Sequence, residues 1–283
     1  MNPLYVKLSL SVAIASLLSG AVFANARIEQ VVPFSDNEVT ILYNQKLYKM
    51  SPVGQDWSDI SPKVQSGQVK AVKFVDSQHG WAVVYEKDRG YSLVRTTDAG
   101  NSWTELVVSN IEQSDIASAY LEFVDTQVGW LVVKDVTSRN FSSGSLFRTE
   151  DGGVTWTLLN IPVGEPVHFI SRDIGWVIAR STDNQIYRTE DGGNTWNKQH
   201  LVDDEIITSA TLPTFKTHNE GFLSIFAKPK LNIFSTKNSG ETWELAKQVI
   251  VPDNFESISV GLFDDNNYIV TYPNIIVGFL LNY

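Results

Sequence analysis

An all-β chain assembled from repeated four-stranded sheets is what this sequence predicts, on three observations. A nine-residue segment recurs along it. A second, aromatic motif precedes each strong copy. The stretches between them alternate apolar and polar residues, with no sustained 3.6-residue period. Four copies of the first segment align without gaps: Arg95-Thr-Thr-Asp-Ala-Gly-Asn-Ser-Trp103, Arg148-Thr-Glu-Asp-Gly-Gly-Val-Thr-Trp156, Arg188-Thr-Glu-Asp-Gly-Gly-Asn-Thr-Trp196 and Ser235-Thr-Lys-Asn-Ser-Gly-Glu-Thr-Trp243. Lys49-Met-Ser-Pro-Val-Gly-Gln-Asp-Trp57 is a degenerate fifth. The second motif reads Phe74-Val-Asp-Ser-Gln-His-Gly-Trp81, Phe123-Val-Asp-Thr-Gln-Val-Gly-Trp130, Phe169-Ile-Ser-Arg-Asp-Ile-Gly-Trp176 and Phe215-Lys-Thr-His-Asn-Glu-Gly-Phe222. All eight tryptophans fall at one of these two places.

The chain opens with Lys7, an uncharged and mostly apolar run from Leu8 to Phe23, and then Ala24-Asn25-Ala26. That order predicts a secretory signal peptide over 1–26, cleaved after Ala26 or, second, after Ala24. The run is short for a membrane span, and no other is long enough, so the mature chain carries no integral membrane segment. The reading is an exported protein, periplasmic or secreted, with residues 27–283 as a single domain.

One unit shows how four strands arise. Val69–Asp76 is a strand, Ser77–His79 a turn, Gly80–Glu86 a strand, Lys87–Gly90 a turn, Tyr91–Thr97 a strand. The nine-residue segment supplies the next turn, and Ser102–Val108 is the fourth strand. Four strands in about 46 residues is the size of one propeller blade. Full units run 69–115, 116–164, 165–206 and 207–252, with a degenerate unit over 27–68. Residues 253–283 hold three more strand-like runs: Ile258–Phe263, Tyr268–Tyr272 and Ile275–Tyr283. Arg27–Val32 is available as their fourth strand, which would close the ring. The prediction is a β-propeller of six blades, with seven as the alternative. An outer-membrane barrel, suggested by the aromatic run Phe279–Tyr283, fits the glycine-rich turns less well.

Within the nine-residue turns, Gly100, Gly153, Gly193 and Gly240, with Gly54 in the weak copy, fall where a positive φ is needed. Asp98, Asp151 and Asp191 can accept bonds from backbone N–H groups of the turn, and Asn238 can replace them with its amide oxygen. Pro52 cannot. Ser102, Thr155, Thr195 and Thr242 add hydroxyls, and Trp103, Trp156, Trp196 and Trp243 anchor each turn by burying a ring. An acid present in every repeat serves the scaffold, since one active site needs it once. The turns lack the alternate ligands and terminal Glu of a calcium loop and the Gly-Lys-Ser/Thr of a phosphate loop.

Composition excludes several classes. The absence of cysteine removes disulfides, thiolate metal sites, thiol nucleophiles and a lipoprotein anchor. The net charge of -10 opposes nucleic-acid binding. His79, His168, His200 and His218 are isolated, with no metal-ligand spacing, and Gly144-Ser145 lacks a nucleophile elbow. No catalytic residue, metal or cofactor is assigned.

The nine-residue segment at 148–156 and 188–196 resembles the Asp-box, or bacterial neuraminidase repeat, of sialidases, sortilin-type receptors and some glucan hydrolases. The paired motifs, over residues 34–245, are similar to the photosystem II assembly and stability factor family. That resemblance implies a non-enzymatic exported seven-bladed propeller that holds a membrane-protein subunit during assembly through an arginine-rich face. The matching positions here are Lys49, Arg95, Arg148 and Arg188, with Ser235 in the last copy. Cations so arranged suit an acidic peptide or a C-terminal carboxylate; each arginine can equally pair with a neighbouring acid such as Glu150 or Glu190. The insertion Lys134–Gly144 adds Arg139 and Phe141 as candidate contacts. The function predicted is a protein-binding or assembly module of the cell envelope. The alternative is a secreted sialidase-like or other glycoside hydrolase, although the Arg-Ile-Pro segment of sialidases is absent. Oligomeric state is not encoded in these patterns.

Overall fold

The computed structural model describes residues 28–35, 38–50, 57–63, 67–108, 116–135, 142–179, 185–201, 207–251, 259–262, 267–272 and 275–280. The signal segment 1–26, Gly54, Arg139 and Phe141 lie outside them. Every regular element among the described residues is a strand. The chain forms two compact units, Met1–Gly129 with Thr149–Trp156, and Trp130–Arg148 with Thr157–Tyr283.

In the first unit, β1 (Ile28–Ser35), β2 (Glu38–Tyr43), β3 (Lys46–Met50) and β4 (Trp57–Asp59) form a sheet in chain order. So do β5 (Gln68–Phe74), β6 (Gly80–Glu86), β7 (Gly90–Thr96) and β8 (Thr104–Leu106). β9 (Ile116–Phe123) follows. The pairings are antiparallel, as short hairpin connections require. Arg27–Val32 does not serve the C-terminal strands: β1 pairs with β2, Val31 opposite Ile41, its nearest neighbour along the chain. β8, the fourth strand of its set, starts later than Ser102, because the turn itself holds Ser102 by hydrogen bonds from both its backbone and its hydroxyl.

The second unit holds β10 (Gly129–Asp135), β11 (Gly144–Thr149) and β12 (Thr157–Leu159), side by side in that order. β13 (Val167–Phe169), β14 (Gly175–Ile178), β15 (Ile186–Thr189) and β16 (Asn197–Gln199) make a sheet in chain order. The next sheet runs β17 (Ser209–Ala210), β19 (Gly221–Ala227), β20 (Lys230–Thr236), β21 (Glu244–Ile250), with β18 (Thr214–Phe215) also paired to β19. β22 (Ser259–Leu262), β23 (Asn267–Tyr272) and β24 (Ile275–Leu280) form a three-stranded sheet.

The aromatic motif builds the first hairpin of a set. Its third residue caps the turn. Asp76 Oδ1 accepts the N–H groups of Gln78 and His79 at 2.8 and 2.7 Å. Asp125 does the same for Gln127 and Val128, and the hydroxyls of Ser171 and Thr217 take the equivalent place. The glycine before the aromatic lies directly across from the motif phenylalanine, as in the Phe169–Gly175 pair. A Cβ on Gly175 would meet the Phe169 ring at 2.5 Å, so only glycine lets that ring lie flat on the backbone.

Candidate functional site

The nine-residue turns are knotted by side-chain oxygens. In the copy ending at Trp196, Asp191 Oδ1 accepts the Thr195 N–H at 2.9 Å and Oδ2 accepts the Thr195 hydroxyl at 2.6 Å. The Thr189 hydroxyl donates to Asp191 Oδ1 at 2.8 Å and accepts the Gly193 N–H at 2.9 Å. The same bonds recur around Asp98 and Asp151. Asn238 keeps the geometry, its Oδ1 accepting the Thr242 N–H at 3.0 Å while its amide donates to the Thr242 hydroxyl. Burial pushes Asp191 upward, but the hydroxyl and backbone bonds from Thr195, with that from Thr189, outweigh it and hold its carboxyl below the usual range. Gly153 and Gly193 have φ of 95° and 97°, and Gly100 and Gly240 are also positive. Sequence reasoning overlooked the threonine at the second place, Thr96, Thr149, Thr189 and Thr236. It is buried in each copy and holds the turn from inside. Its presence in four aligned segments was the available signal.

Behind the turns, three rings from two consecutive repeats meet. Trp130 stacks on Phe169 with centroids 3.5 Å apart and planes 4° apart, and the box indole of Trp196 meets Phe169 edge-on at 6.1 Å. Trp81, Phe123 and Trp156 repeat the arrangement. Trp81, Trp130 and Trp176 are wholly buried. The indole N–H of Trp130 donates to Gly192 O at 2.8 Å, and that of Trp81 to Gly152 O at 2.9 Å. Trp81 and Trp130 therefore each tie their own hairpin to the box turn of the following repeat.

The box arginines lie on these same indoles. The guanidinium of Arg95 sits 5.6 Å from the Trp81 ring, that of Arg148 6.0 Å from Trp130, and that of Arg188 5.8 Å from Trp176. All three reach the following turn. A Cβ on Gly152 would meet Arg95 at 2.8 Å, and one on Gly192 would meet Arg148 at 2.9 Å. Arg188 donates to Ser239 O at 3.2 Å, pairs with Glu190 and is 8% exposed. Arg95 and Arg148 are half-buried, and Arg148 also donates to Arg172 O. Lys49 lies on β3 opposite Thr40 and Ser58.

Beside Arg188 a cleft of about 510 Å³ is lined by Glu190, Lys198, His200, Glu241 and Trp243. It mixes both signs of charge with one indole, a surface suited to hydrogen-bonded recognition of a polar segment. No group of three His, Asp or Glu side chains among the described residues is placed to hold a metal ion. No described helix is long and apolar enough to cross a membrane.

The sequence profile of the family described as Photosynthesis system II assembly factor YCF48 matches residues 50–199. No curated protein matches the chain. Among solved structures, YCF48 from Cyanidioschyzon merolae is 16% identical, with a TM-score of 0.56 over 87% of this chain and 79% of that one. A protein of unknown function from Dyadobacter fermentans is 17% identical, with a TM-score of 0.53 over 89% of this chain and 93% of that one. The GH74 enzyme of Niastella koreensis is 14% identical, with a TM-score of 0.58 over 87% of this chain and 41% of that one. The fold is a β-propeller of Asp-box repeats, and the chain belongs to the photosynthesis system II assembly factor family.

Proposed function

We propose that this propeller is exported to the cell envelope and binds a segment of another protein there, as an assembly or stability module without catalysis. Membership of an assembly-factor family supports the protein-binding part. The observation that carries the non-catalytic part is the fate of the repeated acids. Both carboxylate oxygens of Asp98, Asp151 and Asp191 accept bonds from their own turns. A carboxylate so engaged serves the fold rather than proton transfer. The partner is an acidic peptide or the C-terminal carboxylate of a membrane-protein subunit, met at a cationic surface of either unit, the candidates being Lys49 and Arg95 in one and Arg148 in the other, with Arg139 and Phe141 outside the described residues. Arg188 supports such a surface from within, bonded to Glu190 and Ser239.

The test sets the purified chain against C-terminal peptides of envelope membrane proteins by fluorescence anisotropy, and in parallel against fluorogenic sialosides and glucosides. Saturable peptide binding, weakened by Arg148→Gln or Arg95→Gln with the circular dichroism unchanged, is the expected result. Turnover of a glycoside that disappears on substitution of one carboxylate overturns the reading. Export has its own readout. A periplasmic product whose mass begins at Arg27 supports it, and a cytoplasmic product retaining residues 1–26 overturns it.

A further inference from the structure

The outer strand of the fifth repeat differs from its counterparts. β4, β8, β12 and β16 are three residues long, whereas β21 runs seven, Glu244–Ile250. It ends its sheet, bonded to β20 and to no further strand among the described residues. Among the described residues, no strand pairs with its outer row of backbone donors and acceptors. A register shift between Ile233 and Phe234 re-phases β21, so that Leu245, Gln248 and Ile250 stand opposite Phe234, Asn232 and Lys230 and share one face. Leu245 is 53% and Ile250 65% exposed, two of the most exposed large apolar side chains described.

The charge of this repeat is inverted relative to the chain. Residues 207–251 contain five lysines, Lys216, Lys228, Lys230, Lys237 and Lys247, against three acids, Glu220, Glu241 and Glu244, in a protein of net charge -10. Lys247 sits in the edge strand itself and Lys230 faces Ile250 across the pair. A second copy of the chain is a poor occupant, because self-pairing centred on β21 sets Lys247 against its own duplicate.

We propose that β21 is a docking edge that takes an extended partner segment of alternating acidic and apolar residues as an added strand. The main-chain row supplies the pairing, Leu245 and Ile250 receive the apolar side chains, and the lysines select against basic segments. The inference rests on the protein-binding reading but uses a different surface from the box arginines.

The probes are a fluorescein-labelled nonapeptide alternating Glu with Val, its counterpart with Lys for Glu, and the Glu peptide N-methylated at alternate residues. The Glu peptide binds the full chain and slows amide exchange within 244–250. N-methylation, the Lys replacement, or the double variant Leu245→Asn/Ile250→Asn each weakens binding at least about tenfold. The substituted side chains are exposed, and circular dichroism checks that the variant folds. Equal binding of the N-methylated peptide, or undiminished binding by the double variant, overturns the proposal. So does a self-association in sedimentation that the double variant abolishes, which assigns the edge to a second copy. If C-terminal peptides bind the chain while the Glu peptide does not, the edge falls and the protein-binding reading stands. If no peptide of either set binds, both fall.

Discussion

The repeats ending at Trp196 and Trp243 use the same turn over different packing. Trp130, Phe169 and Trp196 form a parallel stack with an edge-on third ring, and the Trp130 indole reaches Gly192 O. One repeat later, Trp176 and Phe215 open to 5.0 Å and 30°, and neither Trp176 nor Trp243 has a partner for its indole N–H. Two local substitutions account for this. Ser239 stands where the earlier copies have Gly152 and Gly192, and keeps the required positive φ of 56°. Gln199 stands where Leu106 and Leu159 pack under Gly153 and Gly193 of the following turn, and its amide takes Gly240 O, the carbonyl equivalent to the one Trp196 uses. The turn tolerates exchange of its parts because an amide oxygen accepts much as a carboxylate does. The rings behind it are held by shape, and a change there leaves polar atoms unanswered.

Equilibrium unfolding in urea, read repeat by repeat, can break this comparison. Trp130→Ala removes a wholly buried ring and its hydrogen bond and costs about 4 kcal/mol, against about 2 kcal/mol for Phe222→Ala, at a half-buried position. Equal losses would mean that the greater buried area and the hydrogen bond of Trp130 add nothing to stability. Trp130→Phe costs about 1–2 kcal/mol more than Trp176→Phe, because only the first orphans a carbonyl, Gly192 O. Gln199→Leu stabilises by about 1 kcal/mol, by restoring the apolar contact and releasing Gly240 O to Trp243. A destabilised Gln199→Leu protein would show that the amide is better placed than the geometry implies. Ala99→Gly, at a φ of 60° where the next two repeats carry Gly152 and Gly192, gains about 0.5 kcal/mol, visible as a raised urea midpoint.

The last and smallest effect is acid-dependent. The folded-state pKa of Asp191 lies below its ordinary value of 3.8, so its contribution is present above that value and fades as pH falls through the lower, folded one. Asn238 does not titrate. Amide exchange at Thr195 therefore accelerates relative to Thr242 on acidification, once intrinsic rates are divided out. Parallel behaviour of the two amides would remove the aspartate from the account.

Much of this difference could be read from residues alone, and part could not. The four-strand period, the positive-φ glycines and the hydrogen-bonding aspartates follow from turn chemistry, which is local. Asn238 was legible as a replacement for the same reason. The ring triads were not, because spacing places Trp130 and Phe169 at motif positions without saying that one repeat's indole lies on the next repeat's phenyl. The seating of the arginines on indoles was not legible either, because sequence shows charge and not the ring beneath it. Arg27–Val32 was matched to the wrong sheet because a missing strand far along the chain was weighed above the nearest hairpin. The length of β21 escaped notice since its residues, Glu-Leu-Ala-Lys-Gln-Val-Ile, lack a clean alternation until the register shift re-phases them.

Because every ring triad borrows one member from the copy before it, no single copy is a complete folding module. Gene duplication that copies one period adds both halves of a joint at once, and the new member inherits a ready socket for its predecessor's indole. Lineages carrying this architecture can therefore lengthen or shorten by whole periods without inventing new interior contacts, while a cut inside a period strands a phenyl without its clasp.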